Sequence, residues 1–151
     1  MLKLGSLFEW HTEARYSTSH LKSCNFSEAI SANLAIGIFI KKVSEGKCPL
    51  ISDFDEVKTD DSKIIGVFRT KTGGTSKEPK FVLRTARSWI SSFEIINSLQ
   101  KEKENYLVFG DLTHSLALYG MLEALHLGHN VHHVQKLRSK NELKASVKFE
   151  P

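Results

Sequence analysis

The pattern that most limits how this chain can fold lies in its last third. Residues 105–111, "NYLVFGD", form a short apolar run of strand length. Residues 115–128, "SLALYGMLEALHLG", then change to helical spacing, with Leu118, Met121, Leu122 and Leu125 stacked on one face. Residues 130–137, "NVHHVQKL", return to a strand pattern, and Gly128 stands where a helix needs a left-handed stop. Strand, amphipathic helix and strand in close succession predict a right-handed crossover in a sheet with helices on its faces.

Upstream, the readings are less regular. Residues 2–9 and, more weakly, 16–24 read as strands. From Asn33 to Val43 the apolar positions cover nearly the whole helical circumference, which predicts a helix buried on most sides and stopped at Gly46. Residues 47–62 are acidic and irregular, a surface connection with a short element inside. Residues 63–70 and 80–87 read as strands joined by a flexible Gly-Gly and Pro turn. Ser91 or Ser92 is expected to cap a helix running to about residue 104, with Phe93, Ile95, Ile96 and Leu99 inward. Residues 145–150, "ASVKFE", are expected to close the sheet.

The 151 residues are expected to form one domain, 1–151, with a core that needs no metal or disulfide staple. No stretch approaches the roughly eighteen apolar residues of a membrane span, and the first residues lack a secretory pattern. An intracellular protein, cytoplasmic or nuclear, with no membrane partner is therefore expected. Cys24 and Cys48 lack metal-ligand spacing and read as buried thiols. A net charge of +4 favours the approach of a polyanion, though 17 acids among 21 bases do not make a nucleic-acid binder by themselves.

Several motifs suggest chemistry and fail on their surroundings. "HLGHNVHH" places His126, His129, His132 and His133 close together, but Gly128 breaks the helix and strand alternation separates the last pair. No metal site is assigned. "DFDEVK" at 53–58 contains a Glu-x-Lys element of metal-dependent nucleases, yet lies in a charged loop instead of on a core strand. No nucleophile elbow, Walker loop or dinucleotide fingerprint is present, and no residue is assigned a catalytic role. Arg69, Lys71, Lys77, Lys80, Arg84 and Arg87 fall on two strands and their turn, where they could meet a polyanion. Trp89 follows, to stack on a base or to cover the core.

Two stretches resemble macrodomains, particularly the terminal ADP-ribose protein glycohydrolase branch. "LKLGSLFEW" is similar to that branch's opening strand and G-D-[LI]-F element. Ile30, Ser31, Ala32, Asn33, Leu34 and Ala35, followed by Lys41 and Lys42, are similar to its strand, phosphate loop and lysine-ended helix. "FVLRTARSWISSFEIINSL" is similar in shape to a further strand and helix of that branch. Gly110, Asp111, Leu112, Thr113, His114 and Ser115 also resemble a helix-opening segment of coronavirus replicase macrodomain-type modules, some of which are associated with RNA.

The resemblance implies a three-layer α/β fold, a mixed sheet with helices on both faces. It implies a crevice lined by Ser31, Asn33, Ala35, Gly110, Asp111, Thr113 and His114 that takes ADP-ribose or a related nucleotide. Asn33 stands where the first loop wants glycine, and asparagine tolerates the left-handed conformation best among the other residues. The branch's catalytic lysine falls at Ala86, and its second glycine-rich loop is reduced to Gly110, so hydrolase activity is expected to be weak or absent. Two alternatives stand beside this: an RNA or single-stranded nucleic-acid module using the basic hairpin, and a non-catalytic protein-interaction scaffold.

Overall fold

The computed structural model describes residues 7–52, 55–61, 63–71, 80–99 and 102–135. The chain is mixed α/β. Its elements run β1 (Tyr16–Thr18), α1 (Phe26–Ser31), α2 (Ala35–Ser44), β2 (Leu50–Ser52), β3 (Glu56–Lys58), β4 (Val67–Lys71), β5 (Phe81–Thr85), α3 (Ala86–Leu99), β6 (Asn105–Phe109), α4 (Ser115–Leu127) and β7 (Asn130–Val134).

The crossover unit forms as its sequence pattern predicts. β6 and β7 are parallel neighbours joined through α4, and β1 completes the sheet in the order β1-β7-β6. Gly128 ends α4 at φ +88°, and the His129 N–H reaches back to the Ala124 carbonyl at 2.8 Å. A Cβ at Gly128 would lie 3.1 Å from His11 Nδ1, so the close approach of His11 independently favours glycine.

The other described strands do not join this sheet. β2 pairs with β3 and β4 with β5, each as an antiparallel two-stranded sheet, in place of the single mixed sheet expected. Residues 63–66 do not extend β4, because Lys63 at φ +59° and Gly66 at φ +88° turn the backbone first. Of the strand expected at 2–9, residues 7–9 are not strand and the rest lies outside the described residues, as does the closing strand expected at 145–150, while β1 is limited to three residues.

α2 is buried on Ile36, Gly37, Phe39, Ile40 and Val43. Gly46 at φ +74° stops it, with the Lys47 N–H returning to the Lys42 carbonyl at 3.1 Å. Before it lies a helix absent from the sequence reading. α1 is opened by a reciprocal cap, in which Asn25 Oδ1 accepts from the Glu28 N–H at 2.9 Å and Glu28 Oε1 accepts from the Asn25 N–H at 3.1 Å.

α3 departs from its expected start. Thr85 is its cap, accepting from the Ser88 N–H at 3.3 Å, and the helix begins at Ala86. Its buried face is Ala86, Trp89, Ile90 and Phe93, a run of i, i+3, i+4 and i+7. Ile95 and Leu99 are then off that face, 68% and 81% exposed, which corrects their inward assignment.

Aromatic rings join these elements. Phe68 of β4 meets Trp89 of α3 at 4.8 Å between centroids and Phe8 at 5.4 Å, while Phe93 meets Tyr119 of α4 at 5.0 Å. T-shaped pairs of this kind add to the area they bury.

Candidate functional site

The residues proposed for the first phosphate loop form a junction between two helices. The Asn33 N–H donates to the Ile30 carbonyl at 3.0 Å and the Leu34 N–H to the Ala29 carbonyl at 2.9 Å. These two bonds are the reciprocal C-terminal closure of α1, with Asn33 in the left-handed position at φ +56°. Residues 26–31, leading into this turn, are helical where the macrodomain resemblance implies a strand. Ser31 and Asn33 are exposed, and Ala35 opens α2 half-buried.

The second group lies at the carboxyl end of the parallel sheet, where open α/β sheets bind ligands. Gly110 follows β6 at φ +108° and donates its N–H to the Val134 carbonyl at 3.0 Å. His133 Nε2 donates to the Gly110 carbonyl at 2.7 Å, and in the neutral ring Nδ1 then accepts from the Tyr16 hydroxyl at 3.2 Å. Burial pushes the Tyr16 phenol well above its usual range. Asp111 is exposed, Thr113 is buried, and His114 caps α4 without a side-chain hydrogen bond to it. Asp55 also borders this region. Burial raises its carboxyl, opposed by His133 and reinforced by Asp111, and it accepts from Gln135 Nε2 at 3.5 Å.

A parallel bridge joins Lys71, the last residue of β4, to His114 at the start of α4. It places the end of the basic hairpin beside the 110–114 segment. No local sequence pattern signals this pairing, because the two residues belong to different elements far apart in the chain.

The basic set divides by environment. Arg69 donates from Nε and Nη2 to the Cys48 carbonyl at 3.3 and 3.2 Å. Arg84 donates to Thr70 Oγ1 at 2.8 Å, with its guanidinium 5.7 Å from the Trp89 ring centroid. Trp89 is buried in the aromatic core, so its ring has the covering role. Lys71 is half-buried, Lys80 and Arg87 are exposed, and Lys77 lies outside the described residues.

The histidines serve hydrogen bonding within the fold. His126 Nδ1 accepts from the Glu9 N–H at 3.1 Å, His129 Nδ1 from the Glu104 N–H at 2.8 Å, and His132 Nδ1 meets Ser17 Oγ at 2.9 Å. Burial lowers the imidazolium pKa of all three. Among the described residues, no group of three His, Cys, Asp or Glu side chains is arranged to hold a metal ion. The Glu56–Lys58 stretch of the nuclease-like element is a three-residue strand at the surface, with Glu56 and Lys58 both exposed.

The segment between Lys71 and Lys80, "TGGTSKEP", is the expected turn that carries Lys77 of the basic set. Its two glycines stand beside Thr72, Thr75, Ser76 and Lys77, a composition suited to phosphate, and residues 72–79 lie outside the described residues.

No family model matches the chain, and no solved structure matches it. It is similar to part of a putative long chain fatty acid-CoA ligase, VraA, of Staphylococcus aureus. The relative in strain COL is 39% identical over 72 residues, covering 44% of this chain and 16% of the relative. The relative in strain MRSA252 is 43% identical over 58 residues, covering 38% of this chain and 13% of the relative. The matched stretch thus spans about a sixth or less of the length of these curated relatives.

Proposed function

We propose that this chain is a nucleotide-binding part of a ligase-type protein, with the polyphosphate held by the segment from Lys71 to Lys80. The observation that carries the reading is the Lys71–His114 bridge, which brings the end of that segment to the start of α4 at the carboxyl end of the parallel sheet. The composition of that segment, with Thr72, Gly73, Gly74, Thr75, Ser76 and Lys77 between Lys71 and Lys80, is of the kind that suits phosphate. α4 adds the positive end of its dipole.

The ligase similarity supports the same ligand class by chemistry. A thioester does not form from a free carboxylate in water without an energy donor, and a nucleoside triphosphate supplies one. The proposal is confined to nucleotide binding, since the similarity covers 16% of the relative's length.

A second reading retains ADP-ribose in a macrodomain-type, three-layer arrangement. It is favoured by Asn33, whose φ of +56° is the left-handed conformation that the resemblance requires of a loop glycine. Both ligands carry a diphosphate, but the readings use different residues.

Thermal-shift titrations with magnesium-ATP, ADP-ribose and a short oligo(A) RNA separate them. A ligand at about one hundred times its dissociation constant stabilises the native state by roughly 2.7 kcal/mol. A shift with ATP that is lost in Gly74→Val and Lys77→Ala supports the ligase-type reading. A shift with ADP-ribose that survives those changes and is lost in Asn33→Trp supports the second. A shift with RNA alone transfers the function to the basic hairpin, and no shift with any of them overturns both nucleotide readings.

A further inference from the structure

We infer that the outer face of the β4–β5 hairpin is a contact surface for an anionic lipid bilayer, a role beyond nucleotide binding. The strand register sets Lys71 opposite Phe81 and Arg69 opposite Leu83. Directly opposed residues in an antiparallel pair share one face of the sheet. On this face Phe81 is 57% exposed and Leu83 is 64% exposed. The opposite face carries Phe68, which enters the aromatic core, and Arg84, which lies over Trp89. The hairpin therefore turns one face to the core and presents two bulky apolar side chains outward, each beside a cation.

The charges suit an anionic plane. Neither strand contains an acidic residue. The Arg69 guanidinium is held in place by the Cys48 carbonyl, and Arg87 is exposed in the first turn of α3. Apolar tips that enter the headgroup region while neighbouring cations meet lipid phosphates are the two components of peripheral membrane binding. An added peptide strand would instead be recognised along a strand edge. Here the cations lie beside the apolar side chains on the sheet face, which favours a flat surface. Among the described residues no helix is long and apolar enough to cross a membrane.

Co-sedimentation with phosphatidylglycerol–phosphatidylcholine vesicles, and with phosphatidylcholine vesicles alone, tests this. The protein is expected to sediment with the anionic vesicles at low salt and several-fold less at high salt. The double change Phe81→Ser and Leu83→Ser is expected to weaken binding by about tenfold or more. Both side chains are exposed, and circular dichroism melting checks that the variant remains folded. A folded wild-type protein that stays in the supernatant overturns the inference, as does equal sedimentation of the serine variant. Binding abolished by excess inorganic phosphate but insensitive to the serine changes also overturns it, because the lipid headgroup would then merely occupy the phosphate segment.

Discussion

His133 donates from Nε2 to the carbonyl of Gly110 at 2.7 Å, tying the end of β7 to the turn that follows β6. This bond sets the tautomer, so that Nδ1 accepts from the Tyr16 hydroxyl at 3.2 Å. One buried ring thereby links all three parallel strands at the end where the candidate site lies. His133→Ala leaves the Gly110 carbonyl and the Tyr16 hydroxyl without this partner. A loss of about 2–4 kcal/mol is expected in urea unfolding, from two unmet polar groups and lost packing.

Gly128→Ala meets two obstacles, a φ of +88° and the His11 ring 3.1 Å from the new Cβ. The left-handed conformation alone costs a non-glycine residue roughly 1–2 kcal/mol. A total destabilisation of about 1–3 kcal/mol is expected, and His11→Ala in the same chain should recover only the part due to the clash. Equilibrium unfolding of both variants measures the division.

Asn33→Gly is expected to be neutral or to stabilise by a few tenths of a kcal/mol, because Asn33 occupies the left-handed closing position of α1. Asn33→Val should destabilise by about 1 kcal/mol or more, since a β-branched residue resists that conformation. Thermal melting ranks the three chains. An unchanged valine variant would show that α1 frays without cost.

Stability is expected to fall as the solution is acidified below about pH 6.5, the ordinary histidine range. His126, His129 and His132 have lowered folded-state pKa values, with burial the first cause in each. The unfolded chain therefore binds protons first. The histidine contribution is complete above the unfolded pKa and is lost as pH falls toward the folded values. Urea unfolding at successive pH values should show this slope, and His132→Asn should reduce it.

Both tryptophans should behave as core residues. Trp89 and Trp10 are 8% and 9% exposed, and Trp10 Nε1 donates to the Ala14 carbonyl at 2.9 Å. Emission is expected at short wavelength with weak acrylamide quenching in the free protein. Trp89→Ala is expected to cost about 3–5 kcal/mol. A red-shifted, easily quenched spectrum would instead place a ring at the surface, available for base stacking.

Local chemistry determined the parts of the fold that the sequence reveals. The change from strand to helical spacing and back marks β6, α4 and β7, and Gly128 and Gly46 end their helices because each stop needs a left-handed residue nearby. α1 was missed although its cap is local, since Asn25 and Glu28 begin a helix of only six residues. Tertiary contacts decided the rest. Thr85 ends a strand and caps α3 at once, and packing against Phe68 and Tyr119 selects Ala86, Trp89, Ile90 and Phe93 over the equally apolar Ile95 and Leu99. The bridge from Lys71 to His114 likewise joins two elements separated by β5, α3 and β6. Such pairings depend on which surfaces meet after the chain collapses, and no window of neighbouring residues carries that information.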